Sequence, residues 1–146
     1  MEIKPKFGFD KLLFGMKKED VAAIYGAADK EYKDEDGNLV QLYNAIKTRL
    51  TFYEEEDFRL GYLIVSKEDA TVAGIPVIRK TAQSVQDELK AKGFSKWTPE
   101  TFDSYENFFN EANWTILQSE FGEVIKIELG AIINEKEDEF EWKFNK

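Results

Sequence analysis

The residues with the clearest capacity for chemistry are carboxylates that occur in short runs. Glu54, Glu55, Glu56 and Asp57 follow one another between two apolar segments, and residues 135–139 form a similar acidic run. Glycoside hydrolysis needs one carboxyl group of raised pKa and a second one at a fixed separation. Because water surrounds a run of acids on a turn, we expect these side chains to be ionised and not catalytic. They form either a charged turn between strands or a negative loop that covers a basic surface of another protein.

A second acidic segment, residues 34–38, begins like a calcium-binding loop but does not complete one. An EF-hand loop would need an acidic residue two positions before Asp34 and a glutamate six positions after Gly37, where this chain has Tyr32 and Tyr43. We therefore interpret residues 34–38 as a solvated hairpin turn and expect no metal site.

The composition excludes several kinds of catalysis. The chain of 146 residues has no cysteine and no histidine, so thiol nucleophiles, Cys/His zinc sites, catalytic triads and imidazole acid–base chemistry are absent. Its 9 glycines are scattered and form no phosphate-binding motif. We expect a protein that is not an enzyme and has no cofactor.

The charge of the chain narrows the range of partners. Its 20 Lys and Arg residues against 29 Asp and Glu residues give a net charge of -9, which repels nucleic acids and attracts basic proteins. No segment approaches the roughly 18 apolar residues of a membrane helix, and the N-terminus does not read as a secretory leader. We expect a cytoplasmic protein with a protein partner, and neither nucleic acid nor a membrane.

Apolar spacing predicts two helices and several strands. One helix is expected over residues 18–25, and a second begins after an N-cap at Thr81 and ends at Gly93. Alternating apolar residues predict strands that are joined by short turns and are therefore antiparallel. The expected strands cover residues 39–44, 50–53, 59–65, 104–109, 114–119, 123–132 and 140–144.

The order of these elements is similar in the two halves of the chain. We expect an α+β fold of two tandem repeats, residues 1–70 and 71–146, packed together as one unit with their sheets either side by side or continuous. In each repeat a helical segment would pack on an antiparallel sheet of three to four strands, with the other face of the sheet largely open.

Strand alternation predicts which side chains are buried and which face the open side. The expected core positions are Leu50, Phe52, Ile125, Ile127, Leu129, Phe140, Trp142 and Phe144. Trp114 could lie in the core or at the border of an interface, and the core is the preferred assignment. The expected open positions are Gln41, Tyr43, Thr51, Tyr53, Thr115, Lys126 and Glu128. Tyr43 and Tyr53 are the preferred binding anchors, because tyrosine offers a large contact area at low entropic cost; cross-strand pairing is their alternative role.

The chain resembles known families in its repeated arrangement of entry glycine, helix, exit glycine and antiparallel strands. The residues that carry the resemblance are Phe14-Gly15-Met16, Glu19-Asp20-Val21, Gly26, Gly74-Ile75, Val85, Leu89, Gly93-Phe94 and Trp97. The pattern is similar to the helix-on-sheet repeats of the beta-lactamase inhibitor protein and of the BamE-like assembly lipoproteins. It also resembles small acidic bacterial immunity proteins that accompany polymorphic toxins, which implies a role in toxin neutralisation.

The preferred function is therefore a non-enzymatic protein-binding module, an immunity protein that occludes the active surface of a basic toxin domain. The expected partner-binding residues are Gln41, Tyr43, Tyr53, Glu54, Glu55, Glu56, Asp57, Thr115 and Glu128. The first alternative is a protein that binds a small ligand or a carbohydrate, or an enzyme that works through carboxylates; both need a deep polar pocket. The second alternative is a structural subunit that self-associates through an apolar patch.

Overall fold

The computed structural model describes residues 1–144, and β-structure dominates it. Strands comprise 42% of the residues and helices 19%. The strands are β1 (Glu2–Lys4), β2 (Gly8–Phe9), β3 (Leu12–Leu13), β4 (Lys30–Lys33), β5 (Leu39–Tyr43), β6 (Thr48–Tyr53), β7 (Arg59–Val65), β8 (Thr71–Val72), β9 (Ile75–Pro76), β10 (Thr98–Thr101), β11 (Glu106–Asn110), β12 (Thr115–Glu120), β13 (Glu123–Gly130), β14 (Ile133–Asn134) and β15 (Glu139–Phe140). The helices are α1 (Lys18–Tyr25) and α2 (Ala82–Ala91), and short 3-10 turns span Asn44–Ile46, Glu54–Glu56 and Glu111–Asn113.

One antiparallel sheet of eight strands forms the main layer. Its strand order is β10-β11-β12-β13-β7-β6-β5-β4. Two sets of hairpin-connected strands meet at the centre, where β13 pairs with β7 from Ile127 opposite Val65 to Gly130 opposite Tyr62. This pairing satisfies the backbone groups that two separate sheets would leave exposed at their edges.

The predicted fold class is wrong. Residues 1–144 do not form two tandem helix-plus-sheet repeats, because they are mostly β-structure in three sheets of eight, five and two strands, and the five-stranded sheet combines segments from both halves of the chain. Strands of two or three residues are too short to show a periodic pattern, so the sequence did not predict the five-stranded sheet. The division at residue 70 stays a prediction.

The five-stranded sheet joins the beginning of the chain to its middle. Its order is β3-β2-β1-β8-β9, with β1 parallel to β8 and the other pairs antiparallel. The parallel pair brings Glu2 opposite Thr71 and Ile3 opposite Val72. Because Thr71 follows the predicted boundary directly, residues from both sides of it share this small sheet.

The two helices begin and end for local reasons. Helix α1 spans the predicted residues, and the Asp20 carboxylate accepts a hydrogen bond from the backbone N–H of Lys17 at its start. Helix α2 has the predicted N-cap, since the Thr81 hydroxyl accepts from the N–H of Ser84 at 3.3 Å. Gly93, at φ 96°, follows the end of α2 in a conformation that favours glycine.

A single hydrophobic core lies on one face of the eight-stranded sheet, which we call the inner face. Five side chains of its central strands are completely buried: Leu50, Leu63, Leu117, Ile127 and Leu129. The same core cluster includes side chains of both helices and of the five-stranded sheet, among them Ile3, Phe9, Val21, Val72, Val85 and Leu89. The opposite face, which we call the outer face, lacks this cover and its side chains are mostly half-buried.

The end of the described chain packs against Phe14 and, through Phe140, against Tyr53 of β6. Backbone N–H groups of Lys143 and Phe144 both donate to Phe14 O at 3.0 Å. The sequence predicts a last strand over residues 140–144, but of these residues only Phe140 belongs to a strand, β15. Phe140, Trp142 and Phe144, which were expected in the core, are half-buried and pack against its border. The segment is held by aromatic stacking instead of a long ladder of hydrogen bonds.

Candidate functional site

Three of the predicted binding residues lie in the interior. Gln41 is 5% exposed, Tyr43 5% and Thr115 3%, so the expectation that they face water is wrong. The reason is strand register: Gln41 pairs with Leu50 and Tyr43 with Thr48, and paired residues share a face of the sheet. The prediction had grouped Gln41 and Tyr43 with Thr51 and Tyr53, which point the other way.

Tyr43 has an internal structural role. Its hydroxyl donates to the carbonyl of Gly26 at 2.8 Å, and its ring packs edge-on against Tyr25 at 6.2 Å between centroids. Burial, together with the nearby charges of Asp29 and Glu31, raises the pKa of Tyr43. Tyr43 therefore ties the end of α1 to β5.

Tyr53 lies on the outer face, as predicted, but other aromatic rings cover part of it. The centroid of its ring lies 5.6 Å from that of Phe140, and the Phe140 ring in turn stacks on Trp142 with 4.8 Å between centroids. A Cβ atom built on Gly61 would lie 2.0 Å from Tyr53 Cε2, so the ring rests directly on the backbone of Gly61. Burial raises the pKa of Tyr53 to about 12.

The predicted acidic run joins the other acidic turn at one end of the sheet. We call Asp34, Glu35, Asp36, Glu54, Glu55 and Glu56 the acidic edge. Asn38 Oδ1 accepts from the backbone N–H of Glu54 at 3.0 Å, which fixes the turn after β4 against the turn after β6. Within residues 1–144 no Lys or Arg nitrogen lies within 4.0 Å of these carboxylates.

Asp57 differs from the rest of its run because it has a partner. Its carboxylate lies 2.5 Å from Lys17 Nζ, and this hydrogen bond holds the pKa of Asp57 below its usual value. Asp57 also takes up a left-handed conformation at φ 56°, which ends the 3-10 turn. The negative charge available to a partner therefore comes from the acidic edge more than from Asp57.

The turn formed by residues 34–38 is stabilised by hydrogen bonds within the turn itself. Asp34 Oδ1 accepts from the backbone N–H groups of Asp36 at 2.9 Å and Asn38 at 3.0 Å. This is the local hydrogen bonding that aspartate provides in turns. No group of three or more acidic side chains that could hold a metal ion occurs in the part of the chain that the structure describes.

Glu128 lies at the centre of the outer face, next to aromatic side chains that the sequence did not identify. The hydroxyl of Tyr62 donates to Glu128 Oε1 at 2.5 Å across the β7–β13 pair. Burial, reinforced by this hydrogen bond, raises the pKa of Tyr62 well above its ordinary value. Ile64 and Ile116 flank Glu128 on the neighbouring strands.

Trp114 completes this group, which we call the outer aromatic cluster and which consists of Tyr62, Phe109 and Trp114. The Trp114 ring packs edge-on against Tyr62 at 5.8 Å and Phe109 at 5.2 Å. Trp114 is 38% exposed, so its assignment to the core is wrong. It follows a 3-10 turn with φ 46°, a conformation that periodicity does not reveal.

A half-open cleft borders the outer aromatic cluster. It has a volume of about 890 Å³ and is bounded by residues 93–98, 111–114 and 131–135. Trp114 forms part of its wall, and Lys96, Glu111 and Glu135 contribute charged groups. The cleft is large enough for a small ligand.

Comparisons with known proteins bear on the fold only. No family model matches the chain, and no curated protein matches it. A crystal structure of an extracellular protein containing a SCP domain from Bacillus anthracis str. Ames is similar over 86% of this chain and 49% of that one, with a TM-score of 0.51 and 14% identity. A cysteine-rich secretory protein from Staphylococcus aureus subsp. aureus Mu50 gives a TM-score of 0.48 and 11% identity over 78% of this chain and 43% of that one.

The chain thus spans about half the length of the Bacillus anthracis protein. At 14% identity the likeness shows a shared fold and nothing about activity. Within residues 1–144 no helix is long and apolar enough to cross a membrane.

Proposed function

We propose that this chain is a non-enzymatic protein-binding module that recognises a basic partner through the outer face of its eight-stranded sheet. The observation that carries the proposal is the partly exposed outer aromatic cluster beside Glu128. Aromatic side chains and a small number of charges are typical of the centre of a protein interface.

The position of the cluster favours binding at low entropic cost. Tyr62 lies on β7 and Glu128 on β13, the two central strands, and each has a hydrogen-bonded neighbour on both sides. Rings that are already held by edge-on contacts lose little freedom when a partner covers them. Ile64 and Ile116, half-buried on either side of Glu128, extend the apolar surface.

The acidic edge supports a basic partner. Its six carboxylates, in a chain of net charge -9, produce a negative field that steers a positively charged protein and raises its association rate. Glu54, Glu55 and Asp36 are exposed, so their charges act on an approaching molecule through water. The edge speeds the encounter, and the outer aromatic cluster supplies the lasting contacts.

The narrower form of the proposal is an immunity protein that neutralises a toxin. A toxin domain whose active surface is rich in Lys and Arg has the charge that the acidic edge attracts, and contact with the outer face would occlude that surface. In this form the chain acts in the cytoplasm of the cell that it protects. The support is the charge pattern and the sequence resemblance.

Affinity capture with matched variants tests the proposal. The wild-type chain, Ile64→Lys on the outer face and Ile24→Lys on α1 are immobilised and exposed to an extract of the source cells. Ile24 is 41% exposed and belongs to another surface, so it receives the same change in charge and size. We expect a basic protein that the wild type and Ile24→Lys retain and Ile64→Lys does not. Equal retention by all three would refute the outer face as the binding surface.

The cleft beside Trp114 favours a second candidate function, carbohydrate binding. A tryptophan at the wall of a cleft that also holds Lys96, Glu111 and Glu135 combines an apolar ring with hydrogen-bonding groups, as small-ligand sites do. Titration with cellotriose and maltotriose, followed by tryptophan fluorescence, tests it. A saturable change that Trp114→Phe abolishes would favour this function, and an unchanged spectrum would exclude these sugars.

A further inference from the structure

Three aromatic side chains, two of them exposed and one half-buried, lie together at the end of the sheet formed by two neighbouring hairpins. We call Phe102, Tyr105 and Phe121 the aromatic tip. Phe102 and Tyr105 belong to the β10–β11 hairpin, and Phe121 belongs to the turn between β12 and β13. Because β11 pairs with β12, with Glu106 opposite Ser119, the ends of the two hairpins lie side by side.

Phe121 is fully exposed, at 101% of its reference area. It also occupies a left-handed conformation, with φ 52° for Phe121 and 79° for Gly122. Two consecutive positive φ angles define a tight hairpin turn in which Asn-Gly is the preferred pair and a bulky first residue is disfavoured. A large apolar side chain at this position gains nothing from the fold, which points to a use outside it.

Phe102 and Tyr105 form a flat aromatic surface next to Phe121. Their rings stack at 4.6 Å with an interplanar angle of 18°, and the backbone N–H of Phe102 donates to Tyr105 O at 2.9 Å. Phe102 remains 38% exposed in this arrangement. A shallow groove of about 530 Å³ runs between the stacked pair and Phe121.

The charges around the groove determine what can occupy it. Among the described residues, those that line it include three carboxylates, Asp103, Glu106 and Glu120, and no Lys or Arg. An anionic lipid surface would be repelled, and a second copy of this chain would bring the same carboxylates together. The favoured occupant is a surface that is apolar at its centre and basic at its border.

We infer that the aromatic tip is a docking site for a partner protein with an apolar pocket bordered by Lys and Arg, into which Phe121 inserts. This inference rests on the proposed function only in taking a protein as the ligand. The tip is built from the two hairpins of the second half of the chain, whereas the acidic edge is built from those of the first half. The two surfaces can therefore be tested separately.

Photo-cross-linking identifies the partner in the full-length chain. Phe121 is replaced by a photoreactive benzophenone amino acid, and cells that express the chain are irradiated. A protein cross-linked through position 121 is then purified, and its affinity is measured for the wild type, Phe121→Asn and Ile24→Asn. We expect Phe121→Asn to bind at least tenfold more weakly and Ile24→Asn to bind as the wild type does.

Phe121→Asn is suited to this test because it should not impair folding. Asparagine is favoured at the first position of this turn, so the variant is expected to unfold at the same temperature as the wild type or a higher one. A double variant, Asp103→Asn with Glu120→Gln, keeps the aromatic tip and removes two charges. It should lower the association rate and weaken its dependence on salt.

Each other outcome overturns the inference. Unchanged affinity of Phe121→Asn, or no cross-linked protein at all, would show that the tip does not dock a protein. Phe121-dependent binding to vesicles of phosphatidylcholine, or of phosphatidylcholine with phosphatidylglycerol, would assign it to lipid. Concentration-dependent sedimentation that Phe121→Asn abolishes would assign it to a second copy. If the partner is lost with Ile64→Lys and not with Phe121→Asn, the proposed function stands and this inference alone fails.

Discussion

The hydroxyl of Tyr62 on β7 donates a hydrogen bond to the carboxylate of Glu128 on β13, and this contact joins the two central strands of the sheet on its outer face. The backbone ladder between these strands is four residue pairs long. A side-chain bond beside so short a ladder adds a cross-strand pair of the kind that stabilises sheets.

Removing either partner of this bond should lower stability. A hydrogen bond to a charged acceptor contributes about 1.5–3 kcal/mol, and partial exposure of Glu128 places this one at the low end. We expect Tyr62→Phe to reduce the free energy of unfolding by about 1.5 kcal/mol. A double-mutant cycle with Glu128→Ala, measured by urea denaturation, should give a similar coupling energy. Additive losses would show that the two side chains act independently.

Gly61 should not tolerate a larger residue. A Cβ atom at this position would lie 2.0 Å from Tyr53 Cε2, so Gly61→Ala must displace the Tyr53 ring and its contact with Phe140. We expect a loss of about 1–3 kcal/mol, as for other forced insertions into packed regions. Adding Tyr53→Val should restore part of the loss, because the smaller side chain leaves room for the methyl group. Thermal unfolding of the three variants measures this, and a neutral Gly61→Ala would contradict the contact.

Alkaline pH should destabilise the protein. Burial raises the pKa of Tyr53 to about 12, and burial with the Asp10 hydrogen bond raises that of Tyr25 to about 12, from an ordinary value of 10.0. Above pH 10 the unfolded chain therefore binds fewer protons than the folded chain, so the free energy of unfolding falls as pH rises toward about 12. Tyr53→Phe should reduce this fall. Urea denaturation at a series of pH values measures this fall. A free energy of unfolding that stays constant above pH 10 would contradict the prediction.

Local features of the fold could be predicted from the sequence, whereas pairing between distant segments could not. Helix α1, the Thr81 cap and the strand Arg59–Val65 were confirmed because each depends on residues close together in the chain. The β7–β13 pair depends on where two hairpin units meet, which no local pattern specifies. The sequence leaves open whether the two expected sheets lie side by side or are continuous, and this pairing makes them continuous.

Which face of the sheet each proposed binding residue occupies was predicted in part, for the same reason. Tyr53 and Glu128 lie on the outer face, but one error of strand register placed Gln41 and Tyr43 there too. Trp114 was missed because its exposure follows from a left-handed residue after a 3-10 turn. Burial alternates along a strand, so the face of every residue changes when the register shifts by one position.

The N-cap of α2 should contribute measurably to stability. Thr81 Oγ1 accepts from Ser84 N, and loss of such a cap costs about 1 kcal/mol. We expect Thr81→Ala to lower the free energy of unfolding by that amount and Thr81→Ser, which retains the hydroxyl, to change it little. Urea denaturation of both variants distinguishes the cap from the methyl group, since equal losses would assign the effect to packing.

The acidic edge should control how quickly a basic partner binds and have less influence on how long it stays. Its carboxylates have no cation within 4.0 Å among the described residues, and exposed charges act over about 10 Å at 0.1 M salt. Replacing Glu54, Glu55 and Asp36 by their amides should therefore lower the association rate and flatten its dependence on salt, with a smaller effect on dissociation. Asp57→Asn is the matched control, because Lys17 already offsets that charge. Surface plasmon resonance at a series of salt concentrations measures these association rates. If the association rate of the triple variant depends on salt as that of the wild type does, the acidic edge has no part in steering.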